Sequence, residues 1–291
     1  MYDIKGYCSA RTVKEAVSML RGEPGAKPIA GGTDILVAIR EGKLAGCSLV
    51  DIRSIPELKG ISLDGESLRI GPLTTFSQLA EDPLICERAP ILAEAALTIG
   101  GPQLRNSATI GGNIANGATS ADMAPPLLGL DAKLTIEGPD GVRRVPLVEF
   151  YISAGRTVLN TDELITGITI SRADLDQLRG RYIKYAQRNA MDIATLGCAC
   201  LCGLSPDKSA LAKIRLAFAV AGPTPMRARE TEDRLTGLPV AEALNTVGEL
   251  VCGEISPRSS WRASREFRLQ IAGEISRRAL ETAITAAGGM P

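Results

Sequence analysis

Two stretches decide how this chain reads: Pro28-Ile29-Ala30-Gly31-Gly32-Thr33-Asp34 and Thr109-Ile110-Gly111-Gly112-Asn113-Ile114-Ala115-Asn116-Gly117-Ala118-Thr119-Ser120-Ala121-Asp122. Each begins as an apolar, strand-like run, passes through a Gly-Gly pair and leads toward a helix-like segment. Glycine has no Cβ, so its backbone N–H can approach a ligand closely. Thr, Asn and Ser beside it add short hydrogen-bonding side chains. Two such loops meeting on one diphosphate would form a nest of donors for an anion. A lone Gly-Gly pair is ordinary turn chemistry. The second loop is harder to read that way, because from Ala108 to Ala121 nearly every residue is Gly, Ala, Asn, Ser or Thr. A solvent loop of that length would carry Lys or Glu, whereas small uncharged side chains suit a loop pressed against a large planar ligand. The pair points to a nucleotide-type cofactor.

The common phosphate-binding signatures are missing. No Gly-x-Gly-x-x-Gly follows the first strand, and Gly42-Lys43 lacks the preceding glycine and following Ser/Thr of a Walker loop. The chain has no histidine, which excludes a Ser-His-Asp triad, a Cys-His dyad, a His-ligated metal and a flavin tethered through histidine. Its 7 cysteines form no Cys-x-x-Cys pair, so free thiols in a reducing compartment fit best. Cys198, Cys200 and Cys202 alternate along an expected strand and share one face. That spacing is not that of a zinc or iron–sulfur site, and buried thiols acting as small apolar residues fit better.

With 291 residues, 45% of them hydrophobic, the chain can bury a large core in two domains, or in three lobes. Lys and Arg number 33 and so do Asp and Glu, a balance that argues against broad electrostatic binding of nucleic acid. No run approaches the roughly 18 apolar residues of a membrane span. Met1-Tyr2-Asp3-Ile4-Lys5 lacks the pattern of a secretory signal, so a cytoplasmic location is expected.

Thr12-Val13-Lys14-Glu15 reads as a capping box, followed by an apolar helix face at Val13, Ala16, Val17 and Leu20. A strand into the first Gly-Gly loop, a short helix at Ile35 to Ile39 and a strand at Ser48 to Ile52 complete a small α/β unit. Hairpins are expected at Ile61–Gly71 and around Pro139-Asp140-Gly141, and helices at Thr75–Leu79 and Ile91–Ile99. Leu164 to Ile170 alternates as a half-buried strand would. After a charged stretch at 171–180, three strands (182–187, 193–204 and 214–220) precede closing helices. The last helix is expected from about Ser260-Trp261 to Ala286, with Phe267, Ile271 and Ile275 on one stripe. An antiparallel sheet with helices on one side is the simplest packing.

Asp122 closes the second loop. It either accepts from a sugar or ribityl hydroxyl or caps a helix at Ala121–Leu130, and Asp34 carries the same ambiguity at the first loop. Tyr182, Lys184 and Ala186 share a strand face. By pattern alone Lys184 reads as a surface lysine, and the alternative is a cation that stabilises negative charge on a ligand ring. Arg227, Arg229, Arg258, Arg262, Arg265 and Arg268, interleaved with acids, read as a solvated or partner-facing surface.

The loops Ala30–Asp34 and Thr109–Asn116 resemble the two flavin loops in FAD-binding subunits of the molybdenum hydroxylase and xanthine dehydrogenase family. The resemblance runs along the whole chain, through Leu68–Phe76, Pro102–Asn106, Pro223–Arg227 and Ser259–Ser264. Asn116–Asp122 and Asn189–Ile193 are most similar to the bacterial xanthine dehydrogenase branch. The resemblance implies an α+β fold: a p-cresol methylhydroxylase-like FAD-binding domain of two α/β lobes, then a C-terminal α+β domain of antiparallel sheet and helices. The expected division is 1–175 for the FAD domain, in lobes of about 1–57 and 58–175, and 176–291 for the second domain.

It further implies FAD on this chain, and molybdopterin and 2Fe–2S clusters on a large and a small partner subunit. Electrons would pass from the clusters to FAD and on to NAD+ or another acceptor, in xanthine or purine oxidation. Lys27, Pro28, Ile29, Ala30, Gly31, Gly32, Thr33 and Asp34, with Thr109, Ile110, Gly111, Gly112 and Asn113, would hold the diphosphate and flank the flavin. Asp122 would bind a sugar or ribityl hydroxyl, and Ile165 and Lys184 would lie by the isoalloxazine ring. No residue is expected to act as acid or base, and no metal is expected on this chain. The alternatives are a related hydroxylase acting on carbon monoxide, nicotinate or an aldehyde, a self-sufficient flavin reductase of the same fold, and a nucleotide-binding regulatory module.

Overall fold

The computed structural model describes residues 2–291; Met1, the first residue of the expected N-terminal domain, lies outside the described residues. The N-terminal lobe comprises β1 (Ile4–Ser9), α1 (Val13–Gly22), β2 (Lys27–Ile29), α2 (Ile35–Arg40) and β3 (Cys47–Asp51). Its strands form a parallel sheet in the order β1-β3-β2. Val13, Ala16, Val17 and Leu20 of α1 are buried, as their 3.6-residue period requires. Thr12 caps the helix by accepting from the Glu15 N–H, while the Glu15 carboxylate accepts from the Arg11 N–H and not from that of Thr12.

The second lobe follows with β4 (Ile61–Asp64), β5 (Ser67–Ile70), α3 (Phe76–Glu81), α4 (Pro83–Arg88), α5 (Pro90–Leu97), α6 (Pro102–Arg105), α7 (Ile110–Ala115) and α8 (Ala124–Gly129). Next come β6 (Lys133–Gly138), β7 (Gly141–Pro146), the hairpin β8 (Tyr151–Ser153) and β9 (Arg156–Thr157), β10 (Leu164–Ser171) and α9 (Arg172–Gln177). Five strands form an antiparallel sheet in the order β4-β5-β10-β6-β7. Strand β10 is more deeply buried than its alternation suggested, because it is the central strand. A bulge between Ile165 and Gly167 breaks the alternation, and the adjacent Leu164 and Ile165 enter different cores, those of the first and second lobes.

The C-terminal unit is an antiparallel sheet of β11 (Arg179–Tyr185), β12 (Leu196–Leu204), β13 (Leu211–Ala219) and β14 (Met226–Arg227), with α10 (Arg229–Leu235), α11 (Val240–Glu254) and α12 (Arg265–Ala286). Along β12 the period-two pleat divides the side chains. Cys198, Cys200 and Cys202 are wholly buried in the core formed with the helices, while Ala199 and Leu201 enter the core of the second lobe. The sheet is therefore covered on both faces, not one, and the second-lobe core continues past residue 175 through Leu178, Tyr182 and Ala217.

The last helix starts at Arg265, later than expected, because Ser264 caps it by accepting from the Phe267 N–H. Phe267 is exposed, and the buried stripe is Arg268, Ala272, Ile275, Ala279 and Ala283. Small residues set that face: a Cβ on Gly248 of α11 would lie 3.2 Å from the Gly273 carbonyl oxygen, so the two helices approach backbone to backbone. No helix among the described residues is long and apolar enough to cross a membrane.

A buried ionic network joins the second lobe to the C-terminal sheet. Arg215 pairs with Asp131 at 2.9 Å and Asp174 at 2.7 Å, and donates to the Gly129 carbonyl at 3.0 Å. Arg227 pairs with both Glu232 and Asp131. Removing one partner of such a pair leaves a charge buried and uncompensated. Arg227→Met is expected to lower stability by about 3 kcal/mol or more, read as a lower denaturant midpoint.

Candidate cofactor-binding site

Strand β2 delivers the first loop at its C-terminal end. Gly32 has a φ of +76°, which favours glycine. Gly31 lies against the segment that leads into the second loop: an added Cβ would sit 1.9 Å from the Ser107 carbonyl oxygen. The two stretches therefore meet, and Asp34 ties them further by accepting from Asn116 Nδ2 at 3.2 Å. Burial pushes the Asp34 carboxyl up. Asp34 occupies the cap position of α2 without making a side-chain capping bond.

The second Gly-Gly pair differs from expectation. Gly111 and Gly112 lie in the first turn of α7, not in a loop before it. Thr109 starts the helix by accepting from the Gly112 N–H at 3.2 Å. A Cβ on Gly111 would lie 2.5 Å from Pro72 Cβ, so that glycine admits a crossing chain. Gly112 is exposed, and a Cβ there would meet only Thr109 Oγ1, at 3.1 Å.

A cavity of about 600 Å³ adjoins this junction, lined by Ala30, Gly31, Arg53, Thr74, Ser107 and Thr109 among others. That size lies within the roughly 300–1,000 Å³ of small-molecule sites. Thr74 Oγ1, in its wall, and Asn113 Oδ1, one turn into α7, are buried without a hydrogen-bond partner. Buried polar atoms of this kind are normally satisfied, so the orphaned Thr74 hydroxyl suits a ligand that brings hydroxyl or phosphate oxygens to the cleft wall. Of the expected site residues, Ala30, Gly31 and Thr109 line the cavity. Ile29 and Ile110 are buried core residues that support the loops from behind. Lys27, Pro28 and Thr33 are half-buried.

Asp122, Ile165 and Lys184 were expected on the flavin side. Ile165 is buried in the second-lobe core. Asp122 does not cap a helix, since α8 begins at Ala124 with Met123 in the cap position. Its carboxylate accepts instead from Tyr182 Oη at 2.8 Å and Lys184 Nζ at 2.9 Å. Lys184 donates also to the Thr98 carbonyl at 3.1 Å. With its side chain 8% exposed, Lys184 is not a surface lysine. Burial pushes the Asp122 carboxyl up, against the opposing pull of Lys184 and Tyr182. Burial and the neighbouring Asp122 raise the Tyr182 hydroxyl well above its usual range, so it stays a donor.

Sequence reasoning missed Arg53, which enters the cavity wall from the turn after β3. Its guanidinium is held by both Asp51 carboxylate oxygens and approaches Tyr7 Oη. A cation just past the C-terminal end of a strand is the one signal that could have found it. Arg53 pulls the Asp51 carboxyl down to about 2, assisted by Tyr7. A depressed carboxyl contributes stability that is intact above its unfolded pKa, about 3.9, and is lost as pH falls through the folded value. Asp51→Asn is therefore expected to flatten the stability profile between about pH 2 and pH 5, checked by denaturant midpoints across that window.

Residues 2–172 match the family described as the FAD binding domain in molybdopterin dehydrogenase. Residues 181–283 match the CO dehydrogenase flavoprotein C-terminal domain. The chain is 44% identical to a xanthine dehydrogenase FAD-binding subunit of Escherichia coli, over 99% of each chain. It is 32% identical to the carbon monoxide dehydrogenase medium chain of Hydrogenophaga pseudoflava, over 95% of this chain and 96% of that one. A solved carbon monoxide dehydrogenase from that organism, lacking the Mo-pyranopterin moiety of its molybdenum cofactor, superposes with a TM-score of 0.93 at 31% identity, over 98% of this chain and 99% of the other.

Proposed function

This chain belongs to the FAD-binding family of the molybdopterin dehydrogenases, and from that premise we propose that it is the electron-transfer flavoprotein subunit of a cytoplasmic molybdenum hydroxylase acting on xanthine or a related purine. The observation that carries the reading is the junction of the two glycine loops, with Gly31 on the Ser107 carbonyl and Asp34 bonded to Asn116, beside a cavity whose wall holds the orphaned Thr74 hydroxyl. The higher identity to the xanthine dehydrogenase subunit than to the carbon monoxide dehydrogenase chain supports the purine substrate.

Bound FAD would supply the redox chemistry, accepting electrons from 2Fe–2S clusters of a small partner, themselves fed by a molybdopterin subunit, and yielding them to NAD+ or another acceptor. The chain's own residues bind and tune. Backbone N–H groups of the first loop from Ala30 to Asp34 would meet the diphosphate, while the N–H groups of Ile110, Gly111, Gly112 and Asn113 are taken up by Thr74, Pro72 and Thr109 and shape the second loop beside it. Asp122 has spare acceptor capacity for a sugar or ribityl hydroxyl beyond its bonds to Tyr182 and Lys184. Lys184 is held by Asp122 and the Thr98 carbonyl, and would supply a fixed cation to negative charge developing on the ring.

Purification from its native source, with mass spectrometry of what accompanies the chain and assay of xanthine-dependent NAD+ reduction, tests this. Two companion chains, molybdopterin, iron–sulfur clusters and reducible flavin absorption are expected. A chain that turns over alone would instead be a self-sufficient reductase, and a complex that oxidises carbon monoxide, nicotinate or an aldehyde but not xanthine would move the substrate.

A further inference from the structure

A second polar cluster lies in the C-terminal unit, on the face of β11 opposite Lys184. The pleat that sends Tyr182 and Lys184 toward Asp122 sends Tyr185 the other way, where it packs edge-on against Phe267 with ring centroids 5.9 Å apart. Phe267 and its neighbour Arg268 occupy the first turn of α12. Side chains there lean back toward the helix N-terminus, where the backbone dipole is positive.

Arg268 is 2% exposed, yet it forms no ion pair with a carboxylate among the described residues. Nη1 donates to the Thr195 carbonyl, Nη2 donates to Ser260 Oγ at 2.8 Å, and Nε is buried without a partner. Two neighbours share the deficit: Arg262 Nε and Thr195 Oγ1 are also buried and unpaired. Arg258 and Arg262 lie near enough that their like charges, with burial, lower the basicity of Arg268. A buried guanidinium surrounded by cations is costly unless a counter-charge compensates it. Above the cluster runs the 256–263 strap. It is closed by the Ser260 N–H donating to the Ala263 carbonyl at 2.9 Å, and it carries Trp261, 78% exposed, with the Arg262 guanidinium 4.2 Å from its ring centroid.

We propose that this cluster is an oxyanion site, taking the phosphate or carboxylate group of a small ligand between Arg262, Arg268 and Thr195 beneath the Trp261 strap. Planar guanidinium forks match either group, and the unpaired Nε atoms provide the missing donors. The helix N-terminus adds to the same field. The strap must shift to admit the ligand, which alters the stacking of Arg262 on Trp261.

Trp261 is the single tryptophan of the chain, so its fluorescence reports the site alone. The purified FAD-loaded protein is titrated with inorganic phosphate, with acetate, and with sodium chloride at matched ionic strength. A saturable change in Trp261 emission with phosphate or acetate, absent in chloride, is expected; whichever ion saturates first names the ligand group. Arg262→Gln and Arg268→Gln should each weaken binding about tenfold or more. Arg262 is only part-buried, so its variant decides the matter if Arg268→Gln does not fold. Equal responses to chloride, no response to either oxyanion, or unchanged affinity in Arg262→Gln would overturn the proposal.

Discussion

Gly31→Ala is expected to give a destabilised protein that purifies without FAD, whereas Gly112→Ala is expected to fold normally and lose FAD alone. The contrast follows from what a new Cβ meets. At Gly31 it would lie 1.9 Å from the Ser107 carbonyl oxygen and 2.6 Å from its carbon. Both atoms are backbone, so no side chain can swing aside, and the loops must separate. Overpacking of this kind costs roughly 3 kcal/mol and dismantles the junction on which cofactor binding depends. Gly112 is exposed in the first turn of α7, with only Thr109 Oγ1 near. Alanine is a better helix former than glycine by up to about 1 kcal/mol, which offsets the small shift that Thr109 Oγ1 must make, so the cofactor-free protein should be about as stable as the parent. Its methyl group would nevertheless occupy the surface assigned to the diphosphate, and FAD affinity should fall about tenfold or more, or about 1.4 kcal/mol. The flavin-to-protein absorbance ratio and the melting of cofactor-free samples check both halves. Full FAD loading in both variants would remove the two-loop junction from the binding site.

The second large effect is expected at Lys184. Lys184→Ala leaves the Asp122 carboxylate buried with only Tyr182 as donor. Breaking such a pair costs about 3–5 kcal/mol, less whatever is recovered when Asp122 takes up a proton. A domain stable by about 5–15 kcal/mol still folds. The flavin of this variant should show a more negative midpoint potential, because a fixed cation no longer favours the negatively charged reduced ring. Its reduction should slow on the order of tenfold or more. The double variant Asp122→Asn, Lys184→Met separates the two roles, restoring stability but not potential. Unchanged potential and turnover in Lys184→Ala would mean that the lysine only lines the site.

Local chemistry made much of this architecture readable in advance. The buried stripe of α1, the helix expected to open at Thr75 and the β4-β5 and β6-β7 hairpins depend on contacts within a few residues. The misreadings have non-local causes. Alternation across Leu164–Ile170 implied one buried face, but β10 became a central strand with a bulge. The arginines of the C-terminal part read as a solvated or partner-facing surface, yet the side chains of Arg227 and Arg268 are buried, because their burial depends on which element packs over them.

The amino-acid order by itself determined where glycine spares the backbone a side chain, which helix faces are apolar, and that no histidine chemistry is available. Only the tertiary structure decided that Asp122 serves Tyr182 and Lys184, 60 and 62 residues away, that Gly31 rests on Ser107, and that Arg268 is buried with no carboxylate partner among the described residues. The physical reason is one of range. Backbone propensity and periodicity act over a turn or two of chain, whereas desolvation and charge pairing depend on partners that are neighbours only after the lobes have packed.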